Sequence, residues 1–270
     1  MKILALSLAL VSLANTAAIG AVSYTTYGAT VSQDFNTLAL SGTNVAWTND
    51  TTITGWSLFR QPAAGPVAIT AIDAGTGSSN TGKFYSFGPA ANADRALGGV
   101  ASGGAYFGSP TAGNVAGWIA VSLTNNTAIT LDTVLIGYDG EQWRDGGAAA
   151  PAAQTMVLQY GIGATFGAVA TWVTPGGAFN FTSPVFTNTG TGAAVVGNAA
   201  GLTAGLGGTL TGVAWNAGDT LWIRWVDNND AGNDHGLAID NFKFAAVPEP
   251  SIGLLGLTAI AFIPLRRRRK

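Results

Sequence analysis

The 270-residue chain contains no cysteine. A disulfide framework, a zinc-thiolate centre and a thiol nucleophile are therefore excluded. Histidine occurs once, as His235, so a Ser-His-Asp relay would have to use it, and no Gly-x-Ser-x-Gly elbow accompanies it. Glutamate occurs only as Glu141 and Glu249. Positive charge is scarce between the two ends. Of 12 Lys and Arg, six are Lys2 and the terminal run Arg266, Arg267, Arg268, Arg269 and Lys270. Setting these six and Glu249 aside leaves six basic against 13 acidic groups, a net charge of -7. Neutralising phosphates needs a basic footprint that this interior lacks, which argues against a nucleic-acid partner.

What is abundant points the other way from helix. Glycine numbers 38, Thr and Asn are frequent, and 12 of the 14 acidic residues are Asp, a vocabulary of short strands and tight turns. Eight Trp and 12 Phe can build a core that needs no disulfide.

Each end carries an address. Residues 1–21 read as Lys2, an apolar run from Ile3 to Ala14, then the small residues Ala17, Ala18, Gly20 and Ala21, the three-part layout of a cleaved secretory signal. At the other end Val247-Pro248-Glu249-Pro250 stops a strand, because two prolines remove backbone donors. The apolar run Ile252 to Leu265 follows, then the basic block 266–270. A 14-residue helix reaches about 21 Å, short of the roughly 30 Å hydrocarbon core, so it spans with help from bilayer thinning and snorkelling arginines. The clustered positive charges stay cytoplasmic and leave the preceding domain outside.

This order, Pro248-Glu249-Pro250, a short apolar helix and Arg266, Arg267, Arg268 and Arg269, resembles the PEP-CTERM sorting signal of Gram-negative bacteria that make exopolysaccharide. The resemblance covers residues 247–270. It implies recognition by an exosortase, transient membrane anchoring through the C-terminal helix, and final placement at the cell surface or in the extracellular matrix.

Residues 24–246 form the expected domain. Segments of period two recur, with Leu221, Ile223 and Trp225 on one face and Trp222, Arg224 and Val226 on the other. Ile119, Val121 and Leu123 form a second such face, and Asn125-Asn126 predicts a hairpin turn into Ile129–Tyr138. Further strands are expected over 53–59, 67–72, 83–87, 154–162, 202–213 and 236–244. The fold expected is all-β, an antiparallel jelly-roll-like sandwich. In residues 237–244 the apolar phase shifts from Leu237 and Ile239 to Phe242 and Phe244, which predicts a bulge near Asp240. That closing segment resembles the last strand of carbohydrate-binding and concanavalin-like jelly rolls. The segments 84–88, 94–98, 140–144, 221–225 and 234–240 resemble a β-sandwich module of other PEP-CTERM proteins, which brings no activity with it.

The Asx-rich segment 227–234 is the most suggestive cluster, because calcium takes several oxygen ligands. Asp227, Asn229 and Gly232 stand at EF-hand positions one, three and six, but Ala231 and Ala238 fall where ligands are required. A structural calcium on Asp227, Asn229, Asp230 and Asp234 and a metal-free turn both remain open. The jelly-roll resemblance adds Asp240 and Asp34 to the possible calcium ligands. A glycosidase would pair Glu141, after an Asp139-Gly140 turn, with an Asp that spacing does not select. An ion pair of Glu141 or Arg144 with Arg95, Asp94 or Arg224 is the expected use of those charges. The reading is thus a non-catalytic exported protein whose sandwich is expected to bind exopolysaccharide or to pack among similar proteins. A secreted polysaccharide hydrolase and a purely structural surface component are the alternatives.

Overall fold

The computed structural model describes residues 20–248. Nearly all of the expected N-terminal signal and of the expected sorting tail, including the expected helix over 252–265, lie outside the described residues. In chain order the strands begin with β1 (Val22–Tyr24), β2 (Val31–Gln33), β3 (Val45–Ala46), β4 (Trp56–Arg60), β5 (Val67–Ala68), β6 (Ala71–Gly75), β7 (Lys83–Phe87) and β8 (Ala96–Val100). They continue with β9 (Val115–Asn125), β10 (Thr133–Asp145), β11 (Thr155–Ile162), β12 (Phe181–Thr182), β13 (Ala193–Ala194), β14 (Leu202–Leu210), β15 (Thr220–Asn228) and β16 (Gly236–Val247). Helical structure among the described residues is confined to 3-10 turns at Ala105–Phe107, Phe166–Ala168 and Gly177–Phe179.

Two sheets result. One has seven strands in the order β12-β11-β15-β9-β4-β5, with β1 beside β9. The other has nine, β13-β10-β16-β8-β7-β6-β3, with β14 on β10 and β2 on β16. From β8 onward the long strands alternate between sheets: β8, β10, β14 and β16 lie in the nine-stranded sheet, β9, β11 and β15 in the seven-stranded one. Pairing is antiparallel except for β1 with β9 and β6 with β7.

This alternation overturns the expected β9–β10 hairpin. The Asn125 side-chain amide donates to the carbonyls of Ile129 and Trp215, so the Asx turn bends the chain across to the other sheet. Nor does the chain turn at Asp139-Gly140: β10 runs through to Asp145, and the pair faces Asp240 and Ile239 just past a register shift at Tyr138. The bulge expected near Asp240 is present. Gly137 pairs with Lys243 and Asp139 with Asp240, so two residues of β16 oppose one of β10, and Asn241 takes a φ of 49°.

The period-two faces hold as read. Leu221, Ile223 and Trp225 are buried between the sheets with Ile119, Val121 and Leu123. At the centre Trp56 stacks on Trp225 with centroids 5.8 Å apart, and Phe242 meets both edge-on. Such offset and edge contacts let large rings fill the space between sheets without voids.

Candidate functional site

The Asx-rich segment connects β15 to β16 at one end of the sandwich. Asp227 has the inward parity of Ile223 and Trp225, so its carboxyl enters the space between the sheets. There Oδ2 lies 3.4 Å from where a Cβ on Gly99 would stand, and has no hydrogen-bond partner among the described residues. Burial, with Asp234 and Asp230 adding to it, raises the Asp227 pKa well above the usual carboxylate range. Asp234 Oδ1 accepts the Asp230 amide at 2.7 Å and closes the turn, while burial pushes Asp234 to about 7. The Asn229 side-chain amide is spent on the Pro110 carbonyl at 2.8 Å. The loop opens on a polar cleft of about 510 Å³ bounded by Ser102, Arg144, Asn229, Asn233 and Asp234.

These residues meet the demands of calcium only in part. The unpartnered buried oxygen of Asp227 is the kind of group a cation would satisfy. Yet among the described residues no three acidic or histidine side chains converge closely enough to share one ion. The residues proposed from sequence also separate into two groups. Asp227, Asp230 and Asp234 influence one another, whereas Asp240 lies on β16 with Glu141, Asp94 and Asp139 as its charged neighbours. Asp34 lies on a separate shallow depression formed with Ser32, Gln33 and Asn241.

His235, next to this loop, is 4% exposed and does find a serine and an aspartate. Its Nδ1 lies 3.0 Å from Ser183 Oγ and 3.3 Å from Gln142 Nε2, and its Nε2 lies 3.4 Å from Asp145 Oδ1. The Asp145 carboxylate can only accept, so the proton sits on Nε2, facing it, and Nδ1 accepts from the Ser183 hydroxyl. Burial lowers the His235 pKa against the pull of Asp145. Burial alone would raise Asp145, but the amides of Asn188, Gly147 and Thr187 outweigh it and hold the carboxylate low. Ser183 is 1% exposed, and its oxygen already accepts the Gln154 amide at 2.9 Å. The arrangement pins segment 183–188 and the β10 end together around one imidazole. Asp145, Ser183, Gln142 and Gln154 carried no local sequence signal, because only the tertiary fold brings them to His235.

The outer face of the nine-stranded sheet carries a second group. Glu141 and Asp240 are diagonal neighbours on β10 and β16, since Glu141 pairs with Ala238 and Asp139 with Asp240. Both are buried, at 4% and 3% exposure. Glu141 Oε2 accepts Trp143 Nε1 at 2.8 Å; burial nonetheless raises its pKa to about 7, and Asp94 and Asp139 add to the rise. Asp240 is also pushed to about 7, first by burial and then by Glu141, Asp94 and Asp139, and its Oδ1 has no partner among the described residues. A loop packs on Trp143 beside them: a Cβ on Gly197 would fall 2.2 Å from its indole. The ion pair expected for Glu141 or Arg144 does not form. Arg144 Nη1 donates to the carbonyls of Gly77 and Ser78, and Arg95 donates to Ser86. Backbone carbonyls lie closer to these guanidinium groups than any carboxylate does.

The tryptophans divide by face. Trp47, Trp56, Trp215 and Trp225 belong to the main core. Trp143 stacks with Phe87 over the nine-stranded sheet, and Trp118, Trp172 and Trp222 gather on the outer face of the seven-stranded sheet.

No protein-family model matches the chain, and no curated protein matches it. Among solved structures there is a likeness to the arabinose-bound α-L-arabinofuranosidase MgGH51, with a TM-score of 0.30 and 10% identity over 85% of this chain. The match spans 30% of that enzyme's length. A likeness this weak bears on neither activity nor ligand.

Proposed function

We propose that the chain is an exported, non-catalytic surface or matrix protein whose jelly-roll-like domain contacts extracellular polysaccharide. The alternation of long strands between the two sheets supports the jelly-roll description. The observation that carries the export reading is positional. The last strand ends at Val247, and Pro248-Glu249-Pro250, the apolar run and the arginine block follow with no spacer. A folded domain is thereby coupled directly to a signal that an exosortase recognises. A tagged full-length protein should fractionate with the cell envelope or medium, and removal of residues 248–270 should abolish its surface retention. Intact, unprocessed protein soluble in the cytoplasm would overturn the reading.

The sealed state of the reactive-looking groups supports a non-catalytic role: the Ser183 oxygen accepts a backbone amide, and Glu141 and Asp240 are buried. The hydrolase reading draws on one specific feature, the Glu141–Asp240 pair with both carboxyls raised to about 7. Release of reducing sugar from polysaccharide that is lost in Glu141→Gln and Asp240→Asn would establish it instead. A calcium ion at the unpartnered Asp227 carboxyl is the remaining part of the proposal, with Asp230 and Asp234 too dispersed to share it as a set of three. Saturating calcium should raise Tm reversibly, the stabilisation reaching about 2.7 kcal/mol at a hundredfold excess over Kd. A melt indifferent to both calcium and chelator removes the ion from the account.

A further inference from the structure

The outer face of the seven-stranded sheet carries one cation, and its surroundings are aromatic. Gln159, Arg224 and Ala120 are aligned across β11, β15 and β9. The Arg224 guanidinium lies 3.8 Å from the Trp172 ring centroid, 5.2 Å from Trp118 and 5.6 Å from Phe166. Phe166 also stacks on Phe59 at 4.2 Å and meets Trp172 at 5.3 Å, so Phe59, Phe166 and Trp172 form a continuous strip. Phe59, Trp172 and Arg224 are half-buried, and Val173 beside them is exposed.

Charge and hydrogen bonding on this strip are unbalanced. Among the described residues Arg224 has no carboxylate within ion-pairing distance; the pairs that form are Lys83 with Asp73 and His235 with Asp145. Arg224 Nε and Nη2 both donate to Gln159 Oε1, at 2.9 and 2.6 Å. Nη1 has no protein acceptor and is not sealed from solvent. The end of the guanidinium fork, where two N–H bonds run parallel, is thus left over in a donor-rich, low-dielectric setting. Burial lowers the Arg224 pKa to about 10, so the group remains charged at neutral pH.

We propose that Arg224 and the Phe59–Phe166–Trp172 strip bind carboxylated sugar residues, as in a uronate-containing polysaccharide. The apolar face of a pyranose stacks on the half-buried rings, and its carboxylate takes the free end of the guanidinium as a bidentate acceptor. Aromatic rings favour a sugar over a peptide carboxylate, because they match a flat apolar face next to an acid group. The domain's net negative charge repels polyanions at long range, so attraction has to be local to this cation. The inference rests on the polysaccharide-binding reading and narrows it to acidic glycans.

The test titrates the full-length chain in detergent with polygalacturonate and with its fully methyl-esterified form, which keeps the sugars and masks the acid. The acidic polymer should bind, and the ester should bind at least about tenfold more weakly. Arg224→Gln, Arg224→Lys and Trp172→Ala should each lower affinity for the acidic polymer by about tenfold or more, while Lys243→Gln leaves it unchanged. Should the Arg224 variants fail to fold, the arginine side-chain nitrogen resonances of the native protein, which shift on adding polygalacturonate only if Arg224 is engaged, decide the point. Equal binding of both polymers, or an equal loss in Lys243→Gln, overturns the Arg224 site and leaves polysaccharide binding standing. Failure of both polymers and of neutral glycans to bind overturns the two together.

Discussion

On the outer face of the nine-stranded sheet Glu141 and Asp240 are buried carboxyls with no cation in ion-pairing distance among the described residues. On the outer face of the seven-stranded sheet the corresponding group is Arg224, roofed by Phe166 and Trp172 with no anion beside it. The two faces differ in how the desolvation cost is met. A carboxyl can take up a proton once burial raises its pKa to about 7 and so become neutral near physiological pH. A guanidinium keeps its charge, so its shelter must be polarisable: ring faces and a side-chain carbonyl. The acidic face therefore stores a proton equilibrium, and the basic face stores an unused half of a salt bridge.

The comparison breaks most severely if the aromatic roof is removed. Phe166 touches Phe59, Trp118, Trp172 and Trp222 and is 4% exposed, so Phe166→Ala should cost about 3–5 kcal/mol in urea denaturation. A loss below about 1 kcal/mol would mean that the roof is not packed as described. A smaller effect separates the faces by pH. Because Glu141 and Asp240 have raised pKa values when folded, the folded chain binds more protons than the unfolded one between about pH 4 and 7. Their stabilisation is full at the acid end of that window and is lost as pH rises through about 7. The decline should be on the order of 3 kcal/mol for each carboxyl, and Glu141→Gln with Asp240→Asn should flatten it. Asp227 and Asp234 are shifted the same way and leave a residual slope, whereas Arg224→Gln should not change the slope at all. A profile that instead rises from pH 4 to 7 in the parent and not in the double variant would reverse the assignment.

Much of the sheet architecture was legible because one face of each long strand is sealed between sheets. The alternation in Thr220–Val226 separated Ile223 and Trp225 from Trp222 and Arg224, and the structure buries the first pair between the sheets and sets the second on the outer face. The phase change at Asp240 similarly betrayed its bulge. Strand β8 was missed: Gly98 and Gly99 give no side-chain pattern, and they are glycine because the β16 backbone, Phe84 and Asp227 leave little or no room for a Cβ. The false hairpin had another cause. An Asn-Asn turn has the same local chemistry whether it returns the chain to its own sheet or sends it across, and the contact that decides, Asn125 to the Trp215 carbonyl, is 90 residues away. The sites were legible only as ingredients. Glu141 lacked a chosen partner because cross-strand register, set by the whole sheet, brings Asp240 beside it. Nothing nearby in sequence announced that Arg224 would lie under Trp172.

The hydroxyl of Tyr24 accepts the Ala246 amide at 2.8 Å, and the Ala246 carbonyl accepts the Gly28 amide at 2.7 Å. The first and last strands of the sandwich are thus knotted at a single corner. From there β16 runs 12 residues back to Gly236, a distance of about 40 Å in extended chain. A leash fastened beyond Val247 would hold that corner nearest its mooring and carry the His235 end, with its polar cleft, to the outermost tip, where arriving material makes first contact.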